Sequence, residues 1–366
     1  MKIIIAGGGT GGHLFPGIAV AEEFMKRDAS NRVLFVGTRH GIEARIIPRE
    51  GYTIKFLKAE GLIGRSAFKQ IRAVFIFLLS VFQSSRLISE ERPDLAIGVG
   101  GYASVGLVLA ARFRGVNTLI MEQNSVPGFA NRFLGKFVDA IAVTYQESFS
   151  FFARPKTYLT GNPVRQNILV KETSGACTAF NTVRDRFNVL VFGGSQGAHA
   201  INLAMMDTLP YMLDLRQNIQ FIHQTGEREL KATVDGYRQL GFKSMVEPFI
   251  YRMADAYAAA DMVICRAGAT TLAEITAMGK AAVLIPYPHA ASNHQEFNAR
   301  KLEDMGAAIV IPEKQLNGEN LSKAIRELYE NSERRGRIQK ASKAIGRMDA
   351  AEKIVDIAMS LSRKKR

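Results

Sequence analysis

Two glycine-rich turns of the same kind, one in each half of the chain, constrain the fold more than any other feature. Gly7-Gly8-Gly9-Thr10-Gly11-Gly12-His13 follows the apolar run Ile3-Ile4-Ile5-Ala6, and Gly193-Gly194-Ser195-Gln196-Gly197 follows Val189-Leu190-Val191-Phe192. Each segment reads as a buried strand, a tight turn and the start of a helix. Such a turn exposes backbone N–H groups at the helix start and lets a ligand approach the main chain closely. Two of them predict two doubly wound α/β domains facing one cleft, with anionic or sugar groups bound between.

The rest of the chain fits that plan. At 366 residues it is too long for one core, since a domain runs to about 100–200 residues. Short β-branched runs alternate with helical patterns. In the first half, strands are expected at 2–6, 32–36, 53–57, 94–98, 117–121, 139–143 and 157–160, with helices at 13–27, 41–49, 69–90, 102–113 and 128–135. In the second, strands are expected at 187–192, 219–223, 243–247, 262–264, 282–285 and 307–310, with helices at 198–212, 227–239, 252–259, 271–278, 293–304 and 320–330. This alternation predicts parallel sheets covered on both faces. Pro163 and the polar stretch Lys171–Asp185 mark the boundary. The expected division is 1–165 and 166–347, with a last helix near 348–366 packing back on the first domain.

Charge is uneven. Residues 1–165 hold 21 Lys and Arg against 12 Asp and Glu, or +9 of the chain's +14. A basic first half predicts an acidic partner. Nucleic acid ranks lowest, because no basic run of five, no nucleic-acid motif and no aromatic platform among basic residues occurs. Cys177 and Cys265 are the only cysteines and form neither a metal spacing nor a disulfide framework, as in a reducing compartment. Met1-Lys2 leads straight into the first strand, so no leader is expected. The longest apolar stretch, Ala73–Leu79, is far short of the about 20 residues of a spanning helix. A soluble or peripheral protein is expected.

The first turn matches G-x-G-x-x-G through Gly7, Gly9 and Gly12. A nicotinamide enzyme would place a carboxylate at the end of the second strand, where this chain has Gly37-Thr38-Arg39. Arg39 leaves a 2′-phosphate cofactor open. The other readings are a packing turn without ligand and a pocket for a sugar or diphosphate. In the last, His13 stands in the first helical turn. The positive end of the helix dipole disfavours imidazolium and would keep His13 neutral and able to accept an alcohol proton.

The second turn also matches the nucleophile elbow G-x-S-x-G, and the order Ser195, Asp261, His289 or His294 permits a hydrolase triad. The alternative role of Ser195 is to bind a diphosphate beside the amides of a helix N-terminus. No two aspartates stand two apart, so a nucleotide would have to be met by helix N-termini and by arginine such as Arg165 instead of a carboxylate-held metal. Thr271-x-x-Glu274 reads as a capping box, or Glu274 holds a ribose.

Six ordered motifs carry a resemblance. They are Gly8-Gly9-Thr10-Gly11-Gly12-His13-x-x-Pro16-Gly17, Gly100-Gly101-Tyr102-x-Ser104, Glu122-Gln123-Asn124, Gly161-Asn162-Pro163-Val164-Arg165, Gly193-Gly194-Ser195-Gln196-Gly197 and Gly268-Ala269-x-Thr271-x-x-Glu274. Across essentially its whole length the chain resembles the bacterial lipid I N-acetylglucosaminyltransferases, the MurG family. The resemblance implies a GT-B fold of two Rossmann-like domains. It implies inverting, metal-independent and cofactor-free transfer of GlcNAc from UDP-GlcNAc to the MurNAc C4 hydroxyl of lipid I. Ser195 is then expected at the diphosphate, Ile250 at uracil, Glu274 at ribose, and Ala269 and Thr270 in the same pocket. Gln295 is expected at GlcNAc. Thr10, Gly11, Gly12, Asn124 and Arg165 complete the donor contacts, and His13 and Glu122 are the acceptor-side catalytic candidates. Phe249-Ile250-Tyr251-Arg252-Met253 lacks the acidic pair often found after that isoleucine, and His294-Gln295 stands where many members have two glutamines.

A lipid-linked acceptor accounts for the basic first half. Ile63, Arg65, Phe68, Lys69, Ile71, Arg72 and Phe75 mix apolar and basic side chains around a helix start. They are expected to rest on an anionic membrane surface, at the cytoplasmic face of the bacterial plasma membrane. The alternative is a core helix with a solvated basic face.

Overall fold

The computed structural model describes residues 1–58, 67–169, 180, 182–183, 185–290 and 293–363, those at 67–74 and 363 by backbone only. The chain forms two units, Met1–Arg165 with Met348–Arg366, and Gln166–Arg347.

Unit 1 carries strands β1 (Lys2–Gly7), β2 (Arg32–Gly37), β3 (Thr53–Phe56), β4 (Leu95–Gly100), β5 (Asn117–Glu122), β6 (Ala140–Val143) and β7 (Thr157–Leu159). They form one parallel sheet in the order β3-β2-β1-β4-β5-β6-β7. Its helices are α1 (Gly11–Arg27), α2 (Glu43–Arg49), α3 (Ala67–Glu91), α4 (Tyr102–Phe113) and α5 (Phe129–Leu134). Ile3, Ile4, Ile5 and Ala6 are fully buried, because a parallel strand flanked by helices has no solvent face.

Unit 2 opens with a helical turn, Gln166–Leu169, and repeats the plan. Strands β8 (Phe187–Phe192), β9 (Ile219–Gln224), β10 (Lys243–Glu247), β11 (Met262–Cys265), β12 (Ala281–Leu284) and β13 (Ile309–Val310) pair in the order β10-β9-β8-β11-β12-β13. Its helices are α6 (His199–Thr208), α7 (Leu230–Gln239), α8 (Met253–Ala259), α9 (Ala269–Met278), α10 (His294–Asp304), α11 (Gly318–Glu330) and α12 (Ser332–Ile345). The core joins Val189, Val191, Phe221, Ile264 and Val283 of the sheet to Ile201, Met205, Leu321 and Ile325 of the helices.

In both sheets the strand order reverses once, between β1 and β4 and between β8 and β11. Ligands of open parallel sheets bind beyond the carboxyl ends of the strands at such a reversal. Both glycine turns stand there. The final helix, α13 (Ala350–Arg363), belongs to unit 1. Ile354, Val355 and Ala358 on it are fully buried. Arg27 donates to Asp356 at 2.8 Å, and Lys26 pairs with Glu352 at 3.5 Å.

Three expectations need correction. The helix expected over 198–212 ends at Thr208 and continues as a tighter 3-10 segment, Leu209–Leu215, with Pro210 at its start. Pro210 has no N–H to continue the α pattern. Helix α12 was not expected: it is polar nearly all round, and only Ile338 and Ser342 are buried on it. The capping box is absent, since α9 is preceded by Gly268 in extended conformation and no side chain caps it. Thr271 and Glu274 therefore lie one turn too late to act as cap and partner.

Candidate active site in each unit

In unit 1 the first turn is built from close backbone contact. Gly7, Gly8 and Gly9 all have positive φ, at 148°, 149° and 83°. A Cβ on Gly7 would lie 2.4 Å from the carbonyl of Gly100, and one on Gly101 would lie 2.9 Å from that of Gly8. The turns after β1 and β4 thus press main chain on main chain. Beneath them lies Glu43, 1% exposed. Its carboxylate accepts from Gly9 N–H at 2.8 Å, from Thr38 N–H at 2.9 Å and from the Thr38 hydroxyl at 3.0 Å. A Cβ at Gly8, Gly37 or Gly41 would strike that carboxylate.

Thr10 precedes α1 in extended conformation, and its side chain caps nothing. Gly11 and Gly12 then open the helix with no acidic residue in the first turn. The His13 ring lies against Gly100: a Cβ there would be 2.6 Å from Cδ2. Nδ1 of His13 stands 3.5 Å from the Thr10 hydroxyl. Arg165 is buried, and its guanidinium lies over the Phe15 ring of α1 at 4.0 Å. So the structure gathers Thr10, Gly11, Gly12, His13 and Arg165 at the start of one helix.

Glu122, expected on the acceptor side, is instead a buried hub. One carboxylate oxygen accepts from the backbone and side-chain N–H of Asn124 at 3.0 and 3.3 Å. The other accepts from Gly128 N–H at 3.3 Å and the Asn131 amide at 2.9 Å. Burial pushes its pKa up, against the pull of those donors. With four donors in place, it shapes the loop after β5 and holds Asn124 half-buried. An acceptor-side role for Glu122 would be exerted through this loop.

In unit 2 the second turn interlocks with the end of β9. A Cβ on Gly197 (φ 77°) would lie 1.9 Å from the Thr225 carbonyl, and one on Gly226 (φ 79°) would lie 2.2 Å from that of Gln196. Ser195 is partly exposed on this turn, three residues beyond the end of β8. Ala269 and Thr270, both buried, begin α9 just past the adjacent strand β11. The Tyr257 hydroxyl donates to Glu274 at 3.0 Å. Ile250 is buried after β10. Gln295 accepts from Tyr287 N–H at 3.0 Å.

Below the turn runs a buried polar chain. Asn202 donates to the Thr225 carbonyl at 2.9 Å and to Glu229, which also meets His199. The Asn202 carbonyl oxygen is then the acceptor for His223 Nε2–H at 3.0 Å. This leaves His223 Nδ1 to accept from the Tyr237 hydroxyl at 3.1 Å. Burial pushes the His223 pKa down to about 3, so the ring is neutral.

The hydrolase alternative fails on sheet geometry. Asp261 accepts from Asn188 N–H at 2.7 Å, at the amino ends of β11 and β8. Ser195 lies beyond the carboxyl end of β8, at least four strand residues away, or roughly 13 Å at 3.3 Å per residue. No triad can form across that span. Arg39, the residue that left a phosphorylated dinucleotide open, stacks on Phe56 at 5.6 Å.

Comparison with known proteins decides the family. Residues 3–143 match the glycosyltransferase family 28 N-terminal domain and residues 188–358 its C-terminal domain. The chain belongs to glycosyltransferase family 28. Two relatives are named UDP-N-acetylglucosamine--N-acetylmuramyl-(pentapeptide) pyrophosphoryl-undecaprenol N-acetylglucosamine transferase. One, from Thermodesulfovibrio yellowstonii, is 48% identical over 366 residues and covers 100% of both chains. The other, from Geobacter sulfurreducens, is 48% identical over 364 residues with the same coverage. The crystal structure of Acinetobacter baumannii MurG superposes with a TM-score of 0.73 at 30% identity, over 98% of this chain and 99% of that one. The family 28 chain therefore has the GT-B fold and is a glycosyltransferase.

Two residues that support the family 28 site went unnoticed in the sequence: Glu43 and Gln224, which joins Gly194 to Ile250. The only available signal for Glu43 was the glycine pair Gly37 and Gly41 around it, a lone hint of a crowded buried group. Among the described residues no group of three His, Cys, Asp or Glu side chains is placed to hold a metal. Ile63 and Arg65 lie outside the described residues, as do the side chains of Phe68, Lys69, Ile71 and Arg72. Phe75 is 74% exposed on α3, with Leu78 and Phe82 exposed one and two turns on. No helix among the described residues is long and apolar enough to cross a membrane.

Proposed function

We propose that this chain transfers GlcNAc from UDP-GlcNAc to the C4 hydroxyl of MurNAc in undecaprenyl-diphosphoryl-MurNAc-pentapeptide, giving lipid II in peptidoglycan synthesis. The observation that carries the reading is the full-length 48% identity to transferases named for that reaction. The glycine turn at the strand-order reversal of each sheet supports it.

Unit 2 would hold the donor: Ser195 and the amides of its turn at the diphosphate, Ile250 at uracil, Glu274 at ribose, Ala269 and Thr270 in the same pocket, and Gln295 at GlcNAc. Oriented main-chain donors can each stabilise a departing oxyanion by about 3–4 kcal/mol. From unit 1, Thr10, Gly11, Gly12, Asn124 and Arg165 are donor contacts, and His13 is the base. In the tautomer that directs Nδ1–H at the Thr10 hydroxyl, Nε2 would be the atom that takes the acceptor proton. Displacement at the anomeric carbon is direct and inverts it. Glu122 acts through Asn124.

The acceptor's lipid places unit 1 at the cytoplasmic face of the plasma membrane, as a peripheral protein on an anionic surface. Phe75, Leu78 and Phe82 form one stripe of α3, and Arg86 extends it. Aromatic groups flanked by cations suit the headgroup region without spanning.

The decisive experiment incubates the enzyme with labelled UDP-GlcNAc with and without lipid I. Lipid II and UDP are expected only when both substrates are present. UDP release that ignores lipid I overturns the reading. Co-sedimentation with liposomes should rise with anionic lipid and fall with salt, and indifference to both removes the membrane assignment.

A further inference from the structure

Gln224, the last residue of β9, and Thr225-Gly226 just after it touch two segments that the proposed function assigns to different parts of one nucleotide. Toward the second glycine turn, the Gln224 amide donates to the Gly194 carbonyl at 2.7 Å. The contacts of Gly197 with Thr225 and of Gly226 with Gln196 flank that bond. Toward the segment after β10, the Gln224 carbonyl oxygen accepts from Ile250 N–H at 2.7 Å. Thr225 N–H and Gly226 N–H donate to the carbonyls of Glu247 and Pro248 at 3.0 and 3.1 Å. Gln224 is 2% exposed, so both bonds are shielded from water.

Of the three residues, only Gln224 spans the two segments with a side chain. It satisfies both with one rigid planar amide, donor end on the phosphate turn and acceptor end on the base segment. A nucleoside diphosphate is a ligand whose two ends must be met at once. Its affinity gains from subsites already held at the matching separation, because the second contact is then effectively intramolecular. We infer that Gln224 is a positioning residue that keeps the uracil and diphosphate subsites in register, and so sets affinity for the intact nucleoside diphosphate over its parts. The inference rests on the donor assignment to unit 2 made above.

The roles separate by substitution. Gln224→Leu keeps the volume and removes both bonds. Gln224→Glu keeps an acceptor for Ile250 N–H, but an ionised carboxylate cannot donate to Gly194. Binding of UDP and of uridine to the full-length protein is measured by ligand-observed NMR and by competition calorimetry. Both variants are expected to bind UDP at least about tenfold more weakly, which matches losing simultaneous engagement of two subsites. Uridine, which reaches the base side alone, should change less than about threefold in Gln224→Glu. The lipid I KM should stay within about twofold in both. Partial misfolding would lower the number of sites without producing this split. UDP affinity unchanged in both variants, or UDP and uridine weakened by the same factor in Gln224→Glu, overturns the inference. Failure of the unaltered protein to bind UDP would instead overturn the donor assignment.

Discussion

The two glycine turns share a backbone shape and a place in the sheet, yet they are held by opposite chemistry. In unit 1 the turn sits on the Glu43 carboxylate, which occupies the Gly9 N–H. In unit 2 the turn is held from its carbonyl side, by the neutral Gln224 amide at Gly194 and by contact with Thr225. A buried carboxylate under a loop raises the cost of bringing a dianion to the adjacent atoms. A carboxamide adds no charge, and it takes up a carbonyl of the turn instead of an N–H. The glycine pattern sets the shape of the loop, and the residue underneath sets which charge the loop tolerates. This supports the proposed placement of the diphosphate in unit 2 and of the reacting hydroxyl, beside His13, in unit 1.

The sharpest way to break the contrast is to add one methyl group to each turn. Gly197→Ala drives a Cβ to 1.9 Å from the Thr225 carbonyl at φ 77°, a backbone collision that nothing can relieve. UDP affinity is expected to fall at least about 100-fold, the effect of a few kcal/mol of strain, by calorimetry. Gly9→Ala meets no atom within 4 Å despite its φ of 83°. It should lower stability by only about 1–2 kcal/mol for the left-handed backbone, read from a denaturant midpoint. Equal damage from both would show that the turns are equivalent.

The next test concerns chemistry. His13→Ala should lower kcat by about 10²–10⁴-fold, the usual range for a general base, with the UDP Kd unchanged. Ser195→Ala should do the reverse and raise the UDP-GlcNAc KM. Unchanged turnover without His13 would remove it from the mechanism.

Acid stability offers a third contrast. His223, in unit 2, has its pKa lowered by burial to about 3, whereas no histidine among the described residues of unit 1 is buried. As pH falls below the ordinary histidine value of about 6.5, the unfolded chain binds a proton that the folded unit refuses. Unit 2 should then lose about 1.4 kcal/mol per pH unit, down to pH about 3. His223→Leu should flatten that slope in a pH series of urea melts while lowering stability at neutral pH. A last test is Glu43→Gln. It sets an amide N–H₂ against Gly9 or Thr38 and should cost unit 1 about 1–3 kcal/mol, without changing UDP affinity.

Much of this was legible in the sequence. The strands announced themselves because a parallel sheet covered on both faces needs continuous β-branched runs, as at Ile3–Ala6 and Val189–Phe192. The turns were legible because only glycine fits a positive φ against a neighbouring backbone. The supports were not. Glu43 and Gln224 act through contacts with strands and loops distant in sequence, and a buried Glu or Gln looks like any surface one in a string of letters. Helix α12 was missed for a related reason: with two buried positions it leaves almost no apolar stripe. Thr271-x-x-Glu274 misled because the capping pattern occurs one turn inside a helix that begins at Ala269.

The return of α13 to unit 1 fixes an order of assembly. A chain emerging from the ribosome presents the sheet of unit 1 first, but the helix that covers part of it against α1 arrives only after all of unit 2 has been made. Until then the surface under Ile354, Val355 and Ala358 stays bare, while unit 2 already has every strand and helix it needs. Shortening the chain from its carboxyl end should therefore injure the half made first and spare the half made second.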